Sequence, residues 1–206
     1  MTVYTQRSFI ALALAASVLA PGILAAQSPA PATTQGFNLG LRTAGTGFAF
    51  EGGRDGTGGG LGLRLGYGFN DRFSAFVGID GGNVSDGDGF VGLPDGDDYG
   101  TVVLELGGRL HFRTQARWVP FAEASLSVIG LAFDDDEGRE VGYGGPVGSV
   151  GAGVLFHATR IMALEAGASF TAGELWDREI GWIKDEVDIG AKAVRIQLGI
   201  SLYPFR

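Results

Sequence analysis

The sequence contains no cysteine. A disulfide framework is therefore excluded, and so is a lipid-modified N-terminal cysteine. Histidine is scarce, with two residues, His111 and His157. Long apolar runs are missing as well. FIALALAASVLA, from Phe9 to Ala20, falls short of the roughly twenty residues that a membrane-spanning helix needs. Positive charge is in deficit, since the formal net charge is −8 and no basic patch is visible. An acidic chain of this kind is a poor match for a phosphate backbone, so nucleic-acid binding is not expected. After residue 35 no helical period persists.

What is present begins with a processing signal. Arg7 precedes the apolar run, Pro21 and Gly22 break it, and Leu24-Ala25-Ala26 supplies small residues before Gln27. Residues 1–26 read as a secretory signal peptide, and QSPAPATTQ at 27–35 as a short polar leader on the periplasmic side. Removing the signal takes one base with it, so the mature chain is more acidic still. Apolar residues make up 45% and charged residues 18%, which is not the composition of a disordered chain. Glycine is abundant, at 37 residues, but it shows no collagen period.

The persistent pattern is a two-residue alternation, the signature of strands whose two faces meet different surroundings. LGLRLGYGF puts Leu61, Leu63, Leu65, Tyr67 and Phe69 on one face. VRIQLGISL does the same with Val194, Ile196, Leu198, Ile200 and Leu202. VVLELGGRLHF sets Leu104, Leu106 and Leu110 against Glu105, Arg109 and His111. Eight such segments fall at about 36–50, 57–69, 73–84, 99–112, 118–133, 146–156, 161–173 and 191–204. Each is long enough for a tilted strand to cross a bilayer, and the count is even, as bacterial barrels require.

Three connections read as short: 70–72, 113–117 and 157–160. Four read as longer polar loops: 51–56, 85–98, 134–145 and 174–190. Short turns on one side and long loops on the other predict an up-and-down barrel with both termini at the short-turn end. Aromatic residues cluster at predicted strand ends. Phe69, Phe73, Phe112, Trp118 and Phe156 flank the turns, and Phe50, Tyr99, Phe133, Tyr143 and Trp176 flank the loops. Two interfacial girdles are expected from this placement. The fold expected is therefore all-β, an eight-stranded antiparallel up-and-down transmembrane β-barrel over residues 36–206.

If the apolar faces meet lipid, the charges point inward. Arg42, Arg64, Asp80, Glu105, Arg109, Glu123, Glu165 and Arg195 all share the opposite parity. Four arginines and four acids make a balanced set, and charge on a lipid face would cost about 2–4 kcal/mol at the midplane. Eight strands enclose a space that side chains fill, so these groups are expected to form a polar plug rather than to line a pore. A turn centred on Asp71 places Asp80 diagonal to Arg64. One centred on Gln115 places Glu123 opposite Gly107, Ser125 opposite Glu105 and Val119 opposite His111.

Signal, strand count, loop alternation and charged lumen together resemble the small bacterial outer-membrane β-barrel families, the OmpA transmembrane domain and OmpX among them. The resemblance covers 36–206 and includes an apolar last strand with an aromatic near its end, SLYPFR. It implies insertion by the barrel-assembly machinery, residence in the cell outer membrane among its lipids and lipopolysaccharide, and a monomer. The sequence stops with the last strand, so the peptidoglycan-binding domain of longer relatives is not expected.

Chemistry-bearing motifs are few. Some small barrels modify lipid A, but here no Ser adjoins a His, and no nucleophile lies within predicted reach of His111. An enzyme is not expected. Asp86, Asp88, Asp95, Asp97 and Asp98, with Asp134, Asp135 and Asp136, form acidic loop clusters that could attract a hard cation. They lack the full calcium-loop pattern, and a solvated surface is the ordinary meaning of such runs. No metal and no cofactor is expected. A lipocalin-like exported barrel is the remaining alternative, but it would need an apolar interior and a polar exterior. A closed transmembrane barrel survives cold detergent, so the unboiled protein should migrate differently from the boiled protein on a detergent gel. Identical mobility, with the protein in the soluble fraction, would refute the parity assignment.

Overall fold

The computed structural model describes residues 33–50, 54–86, 98–113, 116–134, 140–180 and 183–204. Eight strands run β1 Gly36–Phe50, β2 Arg54–Gly68, β3 Phe73–Asp86, β4 Asp98–His111, β5 Trp118–Asp134, β6 Glu140–His157, β7 Met162–Ile180 and β8 Ile183–Leu202. Each pairs antiparallel with the next, and β8 closes onto β1 from Leu39↔Leu202 to Phe50↔Ala191. Closure leaves the barrel section without a free edge, which a bilayer demands because nothing in its core can satisfy an unpaired backbone group.

The alternation seen in sequence becomes an outside and an inside. Leu106, Leu126 and Ile196 are 62%, 74% and 66% exposed, and every strand from β1 to β8 contributes large apolar side chains to the same outer belt. No soluble domain presents such a surface. The interior is layered. Val119, Phe121, Leu155, Ala163 and Tyr203 pack as a floor at the short-turn end. Val103, Ile129 and Val147 pack nearer the other end, with Leu131 against them. The charged side chains lie between. A polar interior inside an apolar exterior is the reverse of a lipocalin-like barrel.

The strands are longer than the sequence pattern indicates. β6 starts at Glu140, β7 runs to Ile180 and β8 begins at Ile183. Much of 134–145 and 174–190, read above as loops, is therefore hairpin, and β2 takes up Arg54–Gly56 as well. Long–short asymmetry is carried by strand length, with 17 to 20 residues in β5 to β8. The reason is environmental. A hairpin beyond the bilayer is wet on both faces, so its sequence loses the apolar alternation while its backbone keeps the ladder. Register shifts at Gly144/Val147 in β6 and at Leu175/Asp177 in β7 mark the level where this extension leaves the barrel. Pro146, which has no N–H to give a ladder, sits in the first of them.

One aromatic girdle is built as expected. Phe37, Tyr67, Phe69 and Phe73 make successive ring contacts at 4.9, 5.4 and 5.8 Å, and Trp118 meets Phe156 at 4.6 Å. The other end differs. Tyr99 and Tyr143 are buried inside the barrel, because they share the parity of Glu105 and of Val147 rather than that of the lipid face. The side chains of Phe50, Phe133 and Trp176 lie outside the described residues. His157, placed in a turn by the sequence, is instead the buried last residue of β6, its ring 5.8 Å from that of Tyr203.

The leader also has a place. Thr34 is buried, its hydroxyl donating to the Asp71 carbonyl oxygen at 3.0 Å, and the Thr33 hydroxyl donates to the Asp71 carboxylate. Here a glycine is required. A Cβ at Gly68 would lie 1.9 Å from the Thr34 carbonyl oxygen, so any side chain would push the leader off the barrel end. Leu106→Arg, at the middle of the lipid-facing row of β4, should lower the unfolding free energy in vesicles by about 2–4 kcal/mol, as judged by denaturant titration. An unchanged midpoint would mean that this row does not meet lipid.

Candidate functional site

The inward row of each strand carries the polar groups that the sequence singles out. β1 gives Arg42, β2 Arg64, β3 Asp80, β4 Glu105 and Arg109, β5 Glu123, β7 Glu165 and β8 Arg195. The structure brings all eight into one continuous network at mid-height. Arg195 Nη1 lies 3.1 Å from Asp80. Arg42 grips Asp80 with two nitrogens, Nε at 2.8 Å and Nη2, and reaches Glu105 at 2.6 Å. Arg64 follows, 3.4 Å from Glu105, 3.0 Å from Glu123 and 3.6 Å from Glu165. Arg109 completes the chain at 2.8 Å from Glu123 and 2.7 Å from Glu165.

Two registers decide who meets whom. On β3, Asp80 stands opposite Gly62 and diagonal to Arg64, as the turn reading has it. Yet its ion-pair partners are Arg42 and Arg195, because the lumen is narrow enough for side chains to reach across rather than along the sheet. On β5 the ladder is slipped by two residues from the expectation. Glu123 stands directly opposite Arg109, Ser125 opposite Gly107, and Phe121 opposite His111. The ladder is centred on Ala116, one residue beyond Gln115, which moves every partner by two.

Neutral groups on the same inward faces complete the network. Ser125 Oγ donates to Glu105 at 2.8 Å, Gln197 Nε2 donates to Glu123 at 3.2 Å, and Ser201 Oγ donates to Glu165 at 3.4 Å. The Arg64 guanidinium lies 3.9 Å from the Phe76 ring centre, and that of Arg109 lies 3.7 Å from the Phe121 ring. Arg64 and Arg109 thus spend their edges on carboxylates and their faces on rings, a use of the planar group that lysine cannot copy. Gln197 has the parity of Arg195, and Phe121 that of Glu123, so parity pointed inward for both; what it could not supply was the partner. Gly62 leaves the room. A Cβ there would fall 1.7 Å from Asp80 Oδ1.

The network crosses the lumen at mid-height. A cavity of about 30 Å³ lies beside it, lined by Arg42, Glu105, Glu123, Ser149, Arg195 and Gln197 among others. That is the space of a water or two. Above it the apolar layer around Val103, Ile129 and Val147 fills the section. Of the acidic loop candidates, Asp88, Asp95, Asp97, Asp135 and Asp136 lie outside the described residues. Asp86, Asp98 and Asp134 end strands, and their side chains lie outside the described ones. Among the described residues no group of three or more His, Cys, Asp or Glu is arranged to hold a metal ion.

Comparison with solved structures places this architecture. Neisserial surface protein A superposes with a TM-score of 0.62 at 16% identity, over 82% of this chain and 97% of that one. The chain has the fold of the small outer-membrane β-barrels. OprG from Pseudomonas aeruginosa follows at 0.55 and 10% identity, over 84% and 97%, and Ail, the attachment invasion locus protein of Yersinia pestis, at 0.50 and 14%, over 82% and 99%. No protein-family model matches the sequence, and no curated protein does either. The fold persists at this divergence because it needs only parity and closure, which many sequences satisfy.

The barrel's interior should be its point of greatest sensitivity. Glu123 accepts from Arg64, Arg109 and Gln197 together, and Glu123→Ala takes an acceptor from two buried guanidinium groups and leaves four arginines against three carboxylates. It should cost about 3–5 kcal/mol in denaturant titrations of the folded barrel. Arg195→Ala, removing the most exposed member and one contact of Asp80, should cost clearly less. Equal losses would show that the groups do not act as a connected set.

Proposed function

We propose that this chain is a plugged, non-conducting outer-membrane barrel with a structural or surface-interaction role, exercised by the acidic hairpins and loops beyond the bilayer. The observation that carries this reading is the balanced network of four arginines and four carboxylates across the lumen. Opening a path for ions means separating several buried pairs at once, and each separated charge loses partners that water in so narrow a space cannot replace. Two fold relatives carry surface roles in their names, a surface protein and an attachment and invasion protein, and they support the same direction for this chain.

Lipopolysaccharide and the lipids of the outer membrane are its surroundings on this reading, the barrel-assembly machinery its route of insertion, and the monomer its form. Catalysis is not part of it. Ser125, the hydroxyl nearest the carboxylates, is spent on Glu105, and His111 sits on the buried floor opposite Phe121. Planar-bilayer recordings of the refolded protein should show no regular conductance steps in molar salt. Stable steps from the wild-type barrel would overturn the plugged reading. Steps from Glu123→Ala alone would identify the network as what closes it.

A further inference from the structure

The charges outside the lumen are divided by end. The long-connection end is acidic, with Glu51, Asp88, Asp95 and Glu137 among the acids of its connections and Arg139 their one base. The short-turn end is the opposite. Its three connections carry Arg72, Arg113, Arg117 and Arg160 against a single acid, Asp71. All four arginines are exposed, and among the described residues none has an ion-pair partner. Asp71, whose carboxylate also accepts from the Thr33 hydroxyl, offsets one of the four charges, so four bases against one acid leave the three connections with a net charge of +3.

These arginines are held in place by their backbones. The Arg72 carbonyl oxygen accepts from His111 N at 2.7 Å, and that of Arg117 accepts from His157 N at 2.9 Å. Asn70 Oδ1 accepts from the amides of Arg72 and Phe73 at 2.9 and 2.8 Å, an Asx turn that sets the first connection. Thr159 and Met162 close the third around Arg160, with Thr159 N donating to the Met162 oxygen at 3.1 Å. Arg72, Arg117 and Arg160 therefore start from defined points just beyond the aromatic girdle, and Arg113 directly follows Phe112 of that girdle. Arg117 lies over the Phe156 ring at 5.1 Å, beside Trp118.

We propose that these four arginines form a collar that binds the headgroups of anionic phospholipids in the leaflet at the short-turn end. This rests on the membrane reading of the belt. The girdle sets its rings at the depth of the glycerol and headgroup region, where interfacial aromatics sit. A guanidinium just beyond that level reaches a phosphodiester, and its fork matches two phosphate oxygens at once. Both lysines, Lys184 and Lys192, lie toward the other end, so the collar is built from the side chain suited to phosphate. A zwitterionic headgroup brings its own cation and gains less. An anionic one meets unpaired positive charge.

Trp118 is the natural reporter. In the full chain carrying Trp176→Phe and Trp182→Phe, its fluorescence is read in vesicles of phosphatidylcholine mixed with brominated phosphatidylglycerol. The comparison uses brominated phosphatidylcholine at equal bromine content. The expected result is preferential quenching by the anionic lipid, equivalent to an enrichment of about fivefold, falling as salt is raised. Arg72→Gln, Arg113→Gln, Arg117→Gln and Arg160→Gln together should abolish the preference. Gel mobility of unboiled samples verifies that each variant is folded. If the fourfold variant does not fold, Arg117→Gln and the salt titration of the parent carry the test. Equal quenching by both lipids, or a preference that survives the substitutions or high salt, would overturn the collar. Absence of quenching by either lipid would mean that Trp118 is not at a bilayer surface, and the membrane reading falls first.

Discussion

Everything in this barrel depends on one constraint: in a bilayer, a side chain that alternates must choose between lipid and lumen, and charge can choose only the lumen. Once Leu104, Leu106 and Leu110 face out, Glu105 and Arg109 face in, and the same decision repeats around eight strands. Inward charge then has no solvent to fall back on. It must find opposite charge across a space of a few ångströms, and the four-to-four balance makes that possible. The backbone ladder ties each strand to its two neighbours. The ion pairs tie strands that are not neighbours, β1 to β4 through Arg42 and Glu105, β2 to β5 through Arg64 and Glu123, β4 to β7 through Arg109 and Glu165.

Much of this is legible in one dimension, and the limits of legibility have physical causes. The two-residue period assigns a face without knowing the partner strand, so the direction of each lumen charge can be read from its own segment. Pairing is different. The contacts of Arg109 depend on the length of the 112–117 connection, and an error of one residue in its centre moves every cross-strand neighbour by two. Asp80 shows a second limit, since its partners lie across the lumen and no ladder register gives them. Strand ends beyond the bilayer are the third. In the upper parts of β6, β7 and β8 the period fades while the hydrogen bonds continue. Tyr99 and Tyr143 fail as girdle members for the same reason that Glu105 succeeds as a lumen residue: parity outranks the general preference of aromatics for interfaces.

The two ends of the barrel are chemically unlike. The leader folds over the β2–β3 turn through Thr33 and Thr34, and the floor at that end is packed with Val119, Phe121 and Leu155. Tight turns set by Asn70 and Thr159 fix the short connections. At the other end, bulges release the ladder into hairpins that carry mostly acids. Rigid, basic and short on one side, extended and acidic on the other, the molecule presents different electrostatics to the two faces of whatever bilayer holds it.

The network is a chain with shared acceptors, not a set of separate pairs, and that changes what holds it. Glu123 Oε2 accepts from Arg64 and twice from Arg109, while Glu105 Oε2 serves Arg42 and Arg64. Arg42, Arg64 and Arg109 each touch more than one carboxylate, so losing one contact still leaves another, whereas Arg195 touches Asp80. Loss of a whole carboxylate is not absorbed in this way, because the remaining acids are already in use. The result is a network that can lose one contact more easily than one carboxylate. Neutrality is therefore distributed over eight groups, and no single pair carries it.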